Sequence, residues 1–313
     1  MTRVLVTGGA GFIGSHLVER LASRGEAVTV LDDLSTGSLD NLAGVGDRIR
    51  FVRGDVCDTA GAAELVREAD AVVHLAALTS VPESVSAPLA YHRVDVTATL
   101  GLLEACAASP VRRFVFASTC AVYGDPEGRV LRESDPTRPA SPYAAAKLAS
   151  ESYCGAFARA TELATVTLRF FNVYGPRQRP DLPYAAVVPA FVRALLEGRS
   201  PVVFGSGMQT RDFLYVEDAA EALRLALDHT ELSAATFNIA SGEETSVLRL
   251  LEVAAGCLGV PGEHRKEAAR PGDLLRSAAE ISLARSELGF VPATGLEQGI
   301  AQTLKWFSKR GEK

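Results

Sequence analysis

Tyr143 and Lys147 stand four residues apart in Pro142-Tyr143-Ala144-Ala145-Ala146-Lys147. On a helix that spacing puts a phenol and an ammonium on one face, and Pro142 suits the first turn of such a helix. A free tyrosine titrates near ~10 and is a poor base at neutral pH. A neighbouring cation stabilises the phenolate and brings it toward working range. Thr119, in the upstream pair Ser118-Thr119, adds a hydroxyl able to bind the same substrate oxygen and pass a proton to Tyr143. Such a set suits taking a proton from an alcohol and giving it back. Tyr-x-x-x-Lys is also common on Ala-rich surface helices, so its meaning depends on the rest of the chain.

The second informative stretch is Thr7-Gly8-Gly9-Ala10-Gly11-Phe12-Ile13-Gly14, directly after the apolar run Val4-Leu5-Val6. Gly8, Gly11 and Gly14 recur every three residues at a strand-to-helix junction. Glycine there lets the backbone approach a dinucleotide pyrophosphate, and the helix N-terminus offers free N–H groups and the positive end of its dipole. Asp32 closes the second strand, where a carboxylate binds adenosine ribose hydroxyls and repels a 2′-phosphate, favouring NAD over NADP. The alternative for Asp32 is a cap or a surface acid. Asp55, after the third strand, is placed either for the adenine amino group or as an ordinary loop aspartate. A phenol base together with a dinucleotide cradle points to hydride transfer with a built-in proton shuttle.

These groups need a scaffold. Apolar strands at Arg3–Val6, Ala27–Leu31, Ile49–Arg53, Ala71–Leu75, Arg113–Ala117 and Val166–Arg169 alternate with helical patterns, including Gly14–Ser23, the stretch through Val96, Leu100, Leu103 and Ala107, and a helix from about Tyr143. The alternation predicts an α/β fold, a Rossmann-type doubly wound parallel sheet. After Phe171, Gly and Pro become frequent and strands shorten. Residues 1–171 therefore read as a cofactor-binding domain and 172–313 as mostly a smaller substrate-binding α/β lobe. Segments within 211–240, near Phe213–Val216 and Phe237–Ala240, are expected to return to the sheet. Leu296, Ile300, Leu304 and Phe307 mark a closing amphipathic helix.

Composition excludes several classes. The 313 residues are 47% hydrophobic with a net charge of −6, which suits a globular protein and argues against a nucleic-acid-binding surface. No apolar stretch is long enough to cross a bilayer, and the N-terminus has no leader pattern. Five cysteines without C-x-x-C spacing suit reduced thiols in a cytoplasm, and no Cys/His cluster suggests a metal site.

With these residues in place, the chain resembles the extended short-chain dehydrogenase/reductase family of NAD-dependent nucleotide-sugar epimerases and dehydratases, most of all its UDP-glucose/UDP-N-acetylglucosamine 4-epimerases. The match covers nearly the whole chain: Thr7–Gly14, His74–Ala77, Ala117–Gly124, Ser141–Lys147, Arg169–Pro176, Gly205–Asp218, Arg270–Asp273 and Trp306-Phe307. The resemblance implies that Tyr143 takes the proton of the sugar 4-hydroxyl, that Thr119 assists, and that Lys147 holds the nicotinamide ribose. A 4-keto sugar turns over in the pocket before hydride returns. Along NAD it implies Gly8, Gly11, Phe12, Ile13, Gly14, Asp32, Asp55, Val56, Leu75, Ala76 and Ala77. Along a UDP-sugar it implies Thr79, Cys120, Asn172, Val187, Val202, Val203, Phe204 and Ser277. It gives Arg211 and Arg270 the pyrophosphate and Asp273 a ribose hydroxyl. Two arginines on a diphosphate make charge-assisted forks, while the alternative for Arg211 is an ion pair with Asp212. A homodimer through helices near 96–108 and 143–160 is also implied.

Departures from the family pattern narrow the reading. Its 4,6-dehydratases follow the Thr with Asp-Glu, which remove water. Here those positions are Cys120 and Ala121, which argues for epimerisation, with Cys120 either a small pocket wall or a thiol acid–base group. Ser277 stands at the family's gate position, where a bulky Tyr excludes an N-acetyl group, so UDP-GlcNAc/GalNAc is expected to fit beside UDP-Glc/Gal. Arg179 occupies a spot where UDP-glucuronate 4-epimerases bind a carboxylate, which makes that substrate the alternative, with a dehydratase beside it. Asp95 stands where the family usually has Asn. A non-catalytic NAD-sensing protein is the rival from another class, and it predicts loss of Tyr143, Lys147 or the arginines, all of which are present.

Overall fold

The computed structural model describes residues 2–125, 127–180, 186–269 and 272–311. The first seven strands are β1 (Arg3–Thr7), β2 (Ala27–Asp32), β3 (Ile49–Arg53), β4 (Ala71–His74), β5 (Arg113–Thr119), β6 (Val130–Leu131) and β7 (Ala164–Phe170). They are followed by β8 (Val173–Tyr174), β9 (Val202–Phe204), β10 (Thr210–Asp212), β11 (Leu214–Tyr215), β12 (Ala235–Ile239), β13 (Glu244–Ser246), β14 (Arg265–Glu267) and β15 (Arg276–Ala279). The first half carries helices α1 (Phe12–Ser23), α2 (Thr59–Arg67), α3 (Val81–Ser86), α4 (Pro88–Tyr91) and α5 (Ala98–Ala107). Then come α6 (Pro142–Ala160), α7 (Val187–Leu196), α8 (Val216–Asp228), α9 (Val247–Leu258) and α10 (Leu296–Gly311).

Seven strands form one parallel sheet in the order β12-β7-β5-β4-β1-β2-β3. The strand order reverses between β1 and β4, which opens a crevice at their carboxyl ends; in open α/β sheets that crevice holds the ligand. A parallel sheet must be covered on both faces. On one face Leu17, Val18 and Leu21 of α1 join Ala219, Ala222 and Leu223 of α8. On the other, Leu65 and Val66 of α2, Leu102, Leu103 and Cys106 of α5, and Cys154 of α6 pack together. A third cluster joins Phe191 and Val192 of α7, Leu250 and Leu251 of α9, and Ile300 and Leu304 of α10.

Three sequence expectations change. Helix α1 begins at Phe12 rather than Gly14, because Gly11 already serves as its N-cap. Leu214-Tyr215, within the stretch expected to rejoin the sheet, pairs instead with Val173-Tyr174 in a separate two-stranded ladder. The free edge of β7 is taken by β12 in a five-residue register centred on Phe237↔Leu168, so that edge is closed to Leu214-Tyr215, which lead directly into α8. The helix expected through Val96 is entered by a wide π-type turn over His92–Thr97, with α5 starting only at Ala98.

Candidate active site

The glycine run forms a tight cradle between β1 and α1. Gly8 has φ +70, and a Cβ there would lie 2.6 Å from the Ala76 nitrogen. A Cβ on Gly14 would lie 2.2 Å from the Gly8 carbonyl oxygen. Both positions therefore demand glycine, one for its backbone angle and contact with the end of β4, the other for strand–helix packing. Gly11 caps α1 without a side-chain hydrogen bond, and the first turn carries no acid. The N–H groups of this turn are left without intrahelical partners and face the switch point, an arrangement that fits a pyrophosphate. Phe12 and Ile13 contribute their backbone to that turn and pack their side chains on the α7–α9–α10 cluster.

Asp32 is buried, and its two oxygens accept the N–H groups of Ala10 at 2.9 Å and Leu34 at 2.8 Å. Burial pushes its pKa up, and those two N–H groups pull it back. The carboxylate thus braces the glycine loop directly, while each oxygen keeps further acceptor capacity. Asp55 accepts the Cys57 N–H at 2.8 Å and pairs with Arg93 at 3.2 Å, and its pKa falls, the Cys57 N–H being the largest cause. Val56 turns into the core.

A directed hydrogen-bond chain crosses the switch point. Ala76 N–H donates to Thr7 Oγ1 at 3.3 Å, and Thr7 Oγ1 lies 2.7 Å from His74 Nδ1. His74 Nε2 lies 2.9 Å from Thr99 Oγ1, which donates to the Asp95 carbonyl at 2.8 Å. Because the Thr99 proton is already committed to Asp95, His74 must carry its own proton on Nε2 and accept from Thr7 on Nδ1. Burial pushes His74 down to about 3 and keeps it neutral. The chain ties Leu75, Ala76 and Ala77, which follow β4, to the π-type turn. There the Asp95 carboxylate is fully buried: Oδ1 accepts the Leu78 N–H at 3.1 Å, and Oδ2 has no hydrogen-bond partner among the described residues.

Tyr143 and Lys147 lie on one buried face of α6, and Thr119 lies beside Tyr143. Ser141 caps α6 through the Ala144 N–H at 3.2 Å, and Pro142 fills the first position. Tyr143 and Lys147 both face inward and are buried. Thr119 ends β5 beside the Tyr143 phenol, and its hydroxyl accepts the Ala121 N–H at 3.2 Å. Burial raises the phenol's pKa above its ordinary value, Thr119 lowers it, and Asp95 raises it further. Lys147 Nζ donates to the Ala117 carbonyl at 3.1 Å and sits 4.9 Å from the centre of the Phe116 ring. Burial lowers the Lys147 pKa, and Asp95 opposes that most strongly.

Cys120 joins this centre to a second region. Burial pushes its thiol up, while Ser277, Arg211 and the Asn172 backbone oppose the shift. Asn172 has φ +27, and its Nδ2 donates to the Asp212 carbonyl at 3.0 Å. Asn172, Val187, Val202, Phe204, Arg211 and Asp273 share the wall of one cavity of about 290 Å3. Arg211 forms its ion pair with Asp273. The Asp212 carboxylate instead accepts from Ser241 and Gly242, so the Asp212 alternative for Arg211 does not hold: the two carboxylates lie on opposite sides of the strand. Val203 turns away from the cavity into the α7–α9 core because strand residues alternate. Ser277 is buried on β15 beside Cys120; Thr79 is exposed just ahead of α3; Arg179 follows β8 and is outside the described cavity lining. Arg270 lies outside the described residues.

The cavity also uses residues that sequence reading passed over: Tyr174, Gln178, Gln209, Phe213 and Val247. Gln209 Nε2 donates to the Phe204 carbonyl at 2.9 Å and lies 3.4 Å from Asp273. Gln178 Nε2 donates to the Val173 carbonyl at 3.1 Å, and its Oε1 is buried with no partner among the described residues. An isolated amide in a loop carries no spacing signal.

Comparisons with known proteins agree with this geometry. The family model described as "NAD dependent epimerase/dehydratase family" matches residues 4–240. A UDP-glucose 4-epimerase of Mycolicibacterium smegmatis is 40% identical, covering 99% of this chain and 100% of its own. The structure of a UDP-N-acetylglucosamine 4-epimerase from Methanobrevibacter ruminantium, in complex with UDP-N-acetylmuramic acid, superposes with a TM-score of 0.95 at 38% identity, covering 99% of both chains. That of a Thermus thermophilus UDP-glucose 4-epimerase complexed with NAD gives 0.89 at 41% identity, covering 98% of this chain and 99% of the other. A glycine cradle at the switch point, a Tyr–Thr–Lys centre beside it and full-length similarity converge: this chain belongs to the NAD-dependent epimerase/dehydratase family.

Proposed function

We propose that the protein is an NAD-dependent 4-epimerase of UDP-sugars, acting on UDP-Glc/UDP-Gal and with room for UDP-GlcNAc/UDP-GalNAc. The observation that carries this reading is the Thr119 hydroxyl beside the buried Tyr143 phenol, followed by Cys120 and Ala121. The centre can move a proton at the sugar 4-oxygen, yet holds no carboxylate at the two positions where elimination would need one. The raised Cys120 pKa keeps its thiol protonated, which favours a pocket wall over a base.

In this reading residues 1–171, with α8 and β12, hold NAD, and most of 172–313 holds the nucleotide sugar. The α1 N-terminus faces the pyrophosphate, Asp32 the adenosine ribose, and Lys147 the nicotinamide ribose. NAD, when bound, would supply the hydride acceptor for C4 and the donor for its return. The Tyr143 oxygen takes the proton of the sugar 4-hydroxyl as C4 is oxidised and gives it back when C4 is reduced. Thr119 holds the same oxygen. The cation of an oxidised nicotinamide would oppose the burial that raises the phenol's pKa. Arg211, released from Asp273, binds the diphosphate, and Val202 and Phe204 flank the nucleoside.

We also propose a homodimer formed through α5 and α6. Val85, Leu89 and Tyr153 are exposed near these helices, and light scattering at the mass of two chains would support it. A reducing cytoplasm suits the five unpaired thiols. Proton NMR of mixtures containing UDP-Glc, UDP-GlcNAc or UDP-GlcA tests the substrate. Turnover of the first, with or without the second, supports the reading, whereas turnover of UDP-GlcA alone or a 4-keto or 5,6-ene product contradicts it.

A further inference from the structure

The buried charge that this chemistry leaves unused lies directly beneath it. Tyr143, Lys147 and Glu151 recur at four-residue intervals on the inner face of α6. Glu151 is 9% exposed and Arg169, on β7, 7%. Arg169 Nη2 donates to Glu151 Oε2 at 2.6 Å, and its Nε donates to Oε1 at 3.0 Å. Ser118 Oγ donates to the same Glu151 Oε1, and Ser118 immediately precedes Thr119. On its other side Arg169 Nη1 donates to the Tyr123 phenol oxygen at 2.8 Å, and the guanidinium lies 4.8 Å from the centre of that ring. The Tyr123 hydroxyl donates to Asn238 Oδ1 at 2.7 Å on β12. One ion pair therefore grips the Thr119-Cys120 segment from both ends, through Ser118 before it and Tyr123 after it.

A pair this deep is a weak source of stability, because desolvating both charges offsets most of their attraction. A fork of charge-assisted hydrogen bonds does fix distance and orientation. We propose that Glu151, through its fork with Arg169, is a positioning residue: it locks Ser118, and with it Thr119, in place beside the Tyr143 phenol. The inference rests on the reading of Tyr143 and Thr119 as the groups that act on a nucleotide sugar.

The test uses full-length protein loaded with NAD. Glu151→Gln leaves Arg169 as a lone buried charge and can fail to fold. The double variant Glu151→Gln/Arg169→Gln carries no lone charge and keeps the polar shape. The expected result for the folded double variant is a kcat lower by about a hundredfold, the scale of a small misplacement at a reacting centre. KM and the calorimetric Kd for UDP should stay unchanged. A folded double variant with wild-type kcat, or one that loses activity only in proportion to the fraction unfolded, overturns the proposal. Wild-type protein inactive on every nucleotide sugar overturns the functional reading and this inference with it. An active wild type with a fully active double variant overturns the positioning role alone.

Discussion

The Thr119 hydroxyl at the end of β5 neighbours the Tyr143 phenol in the first turn of α6 and lowers its pKa against burial. That contact joins residues 24 positions apart in sequence. Replacing Tyr143 by Phe removes the proton acceptor but keeps the ring, and turnover should fall by roughly 10²- to 10⁴-fold, the usual worth of a general acid–base group. Thr119→Ala should cost less, because Tyr143 remains. Steady-state kinetics on both variants check the order of the two losses.

Asp95 gives a pH-dependent prediction for stability. Burial raises its pKa from the ordinary 3.8 to about 6. Between those values the folded chain holds a proton that the unfolded chain releases, so this residue's contribution is full below about pH 4 and is lost as pH rises through about 6. Asp95→Asn should therefore be more stable than wild type above pH 6, by at most about 3 kcal/mol, and no more stable near pH 4. Lys147 loses a partner in the variant, which reduces the gain. His74 runs the other way: it is held down to about 3, and its contribution is present above its ordinary 6.5 and lost as pH falls. It is common to both proteins, so the difference in Tm between them, followed from pH 4 to 8, isolates Asp95.

The glycine cradle predicts a steric effect. A methyl on Gly14 would press on the Gly8 carbonyl at 2.2 Å, backbone against backbone. Gly14→Ala should lower Tm and leave the purified protein without dinucleotide. Gly25→Ala is the comparison: its φ is +81 with nothing within 4 Å, so it should cost about 1 to 2 kcal/mol of backbone strain and keep the cofactor. Ultraviolet absorbance of the supernatant after denaturation, together with thermal melts, checks both.

Neighbouring residues on β9 should behave oppositely. Val203 is fully buried in the α7–α9 cluster, and Val203→Ala should cost roughly 2 kcal/mol of stability while leaving UDP affinity intact. Phe204 lines the cavity, and Phe204→Ala should weaken UDP binding with little change in Tm. Calorimetric titration with UDP and thermal melts separate the two.

Much of this architecture could be read from local pattern. Strand–helix alternation, the Gly8–Gly14 spacing and the Tyr143–Lys147 interval all operate within one turn or one strand, where neighbours in sequence are neighbours in space. The misses involve distant partners. Leu214-Tyr215 read as a sheet strand because their apolarity is the same whether they pair with β7 or with Val173-Tyr174. What decided it was competition with β12 for the edge of β7. Val203 and Phe204 both looked like cavity residues, because sequence alone did not give the phase of a three-residue strand. Arg211 had an adjacent acid in Asp212 but pairs with Asp273, 62 residues away. The Glu151–Arg169 fork left no local signature, since its members sit on different elements and look like ordinary surface charges.

The most direct measurement is proton NMR of UDP-galactose incubated with freshly purified protein and no added cofactor, with Tyr143→Phe in parallel. The expected result is conversion to UDP-glucose by the wild type, almost none by the variant, and NAD released when the wild type is denatured. A 4-keto or unsaturated product, no conversion by the wild type, or undiminished conversion by Tyr143→Phe would contradict it.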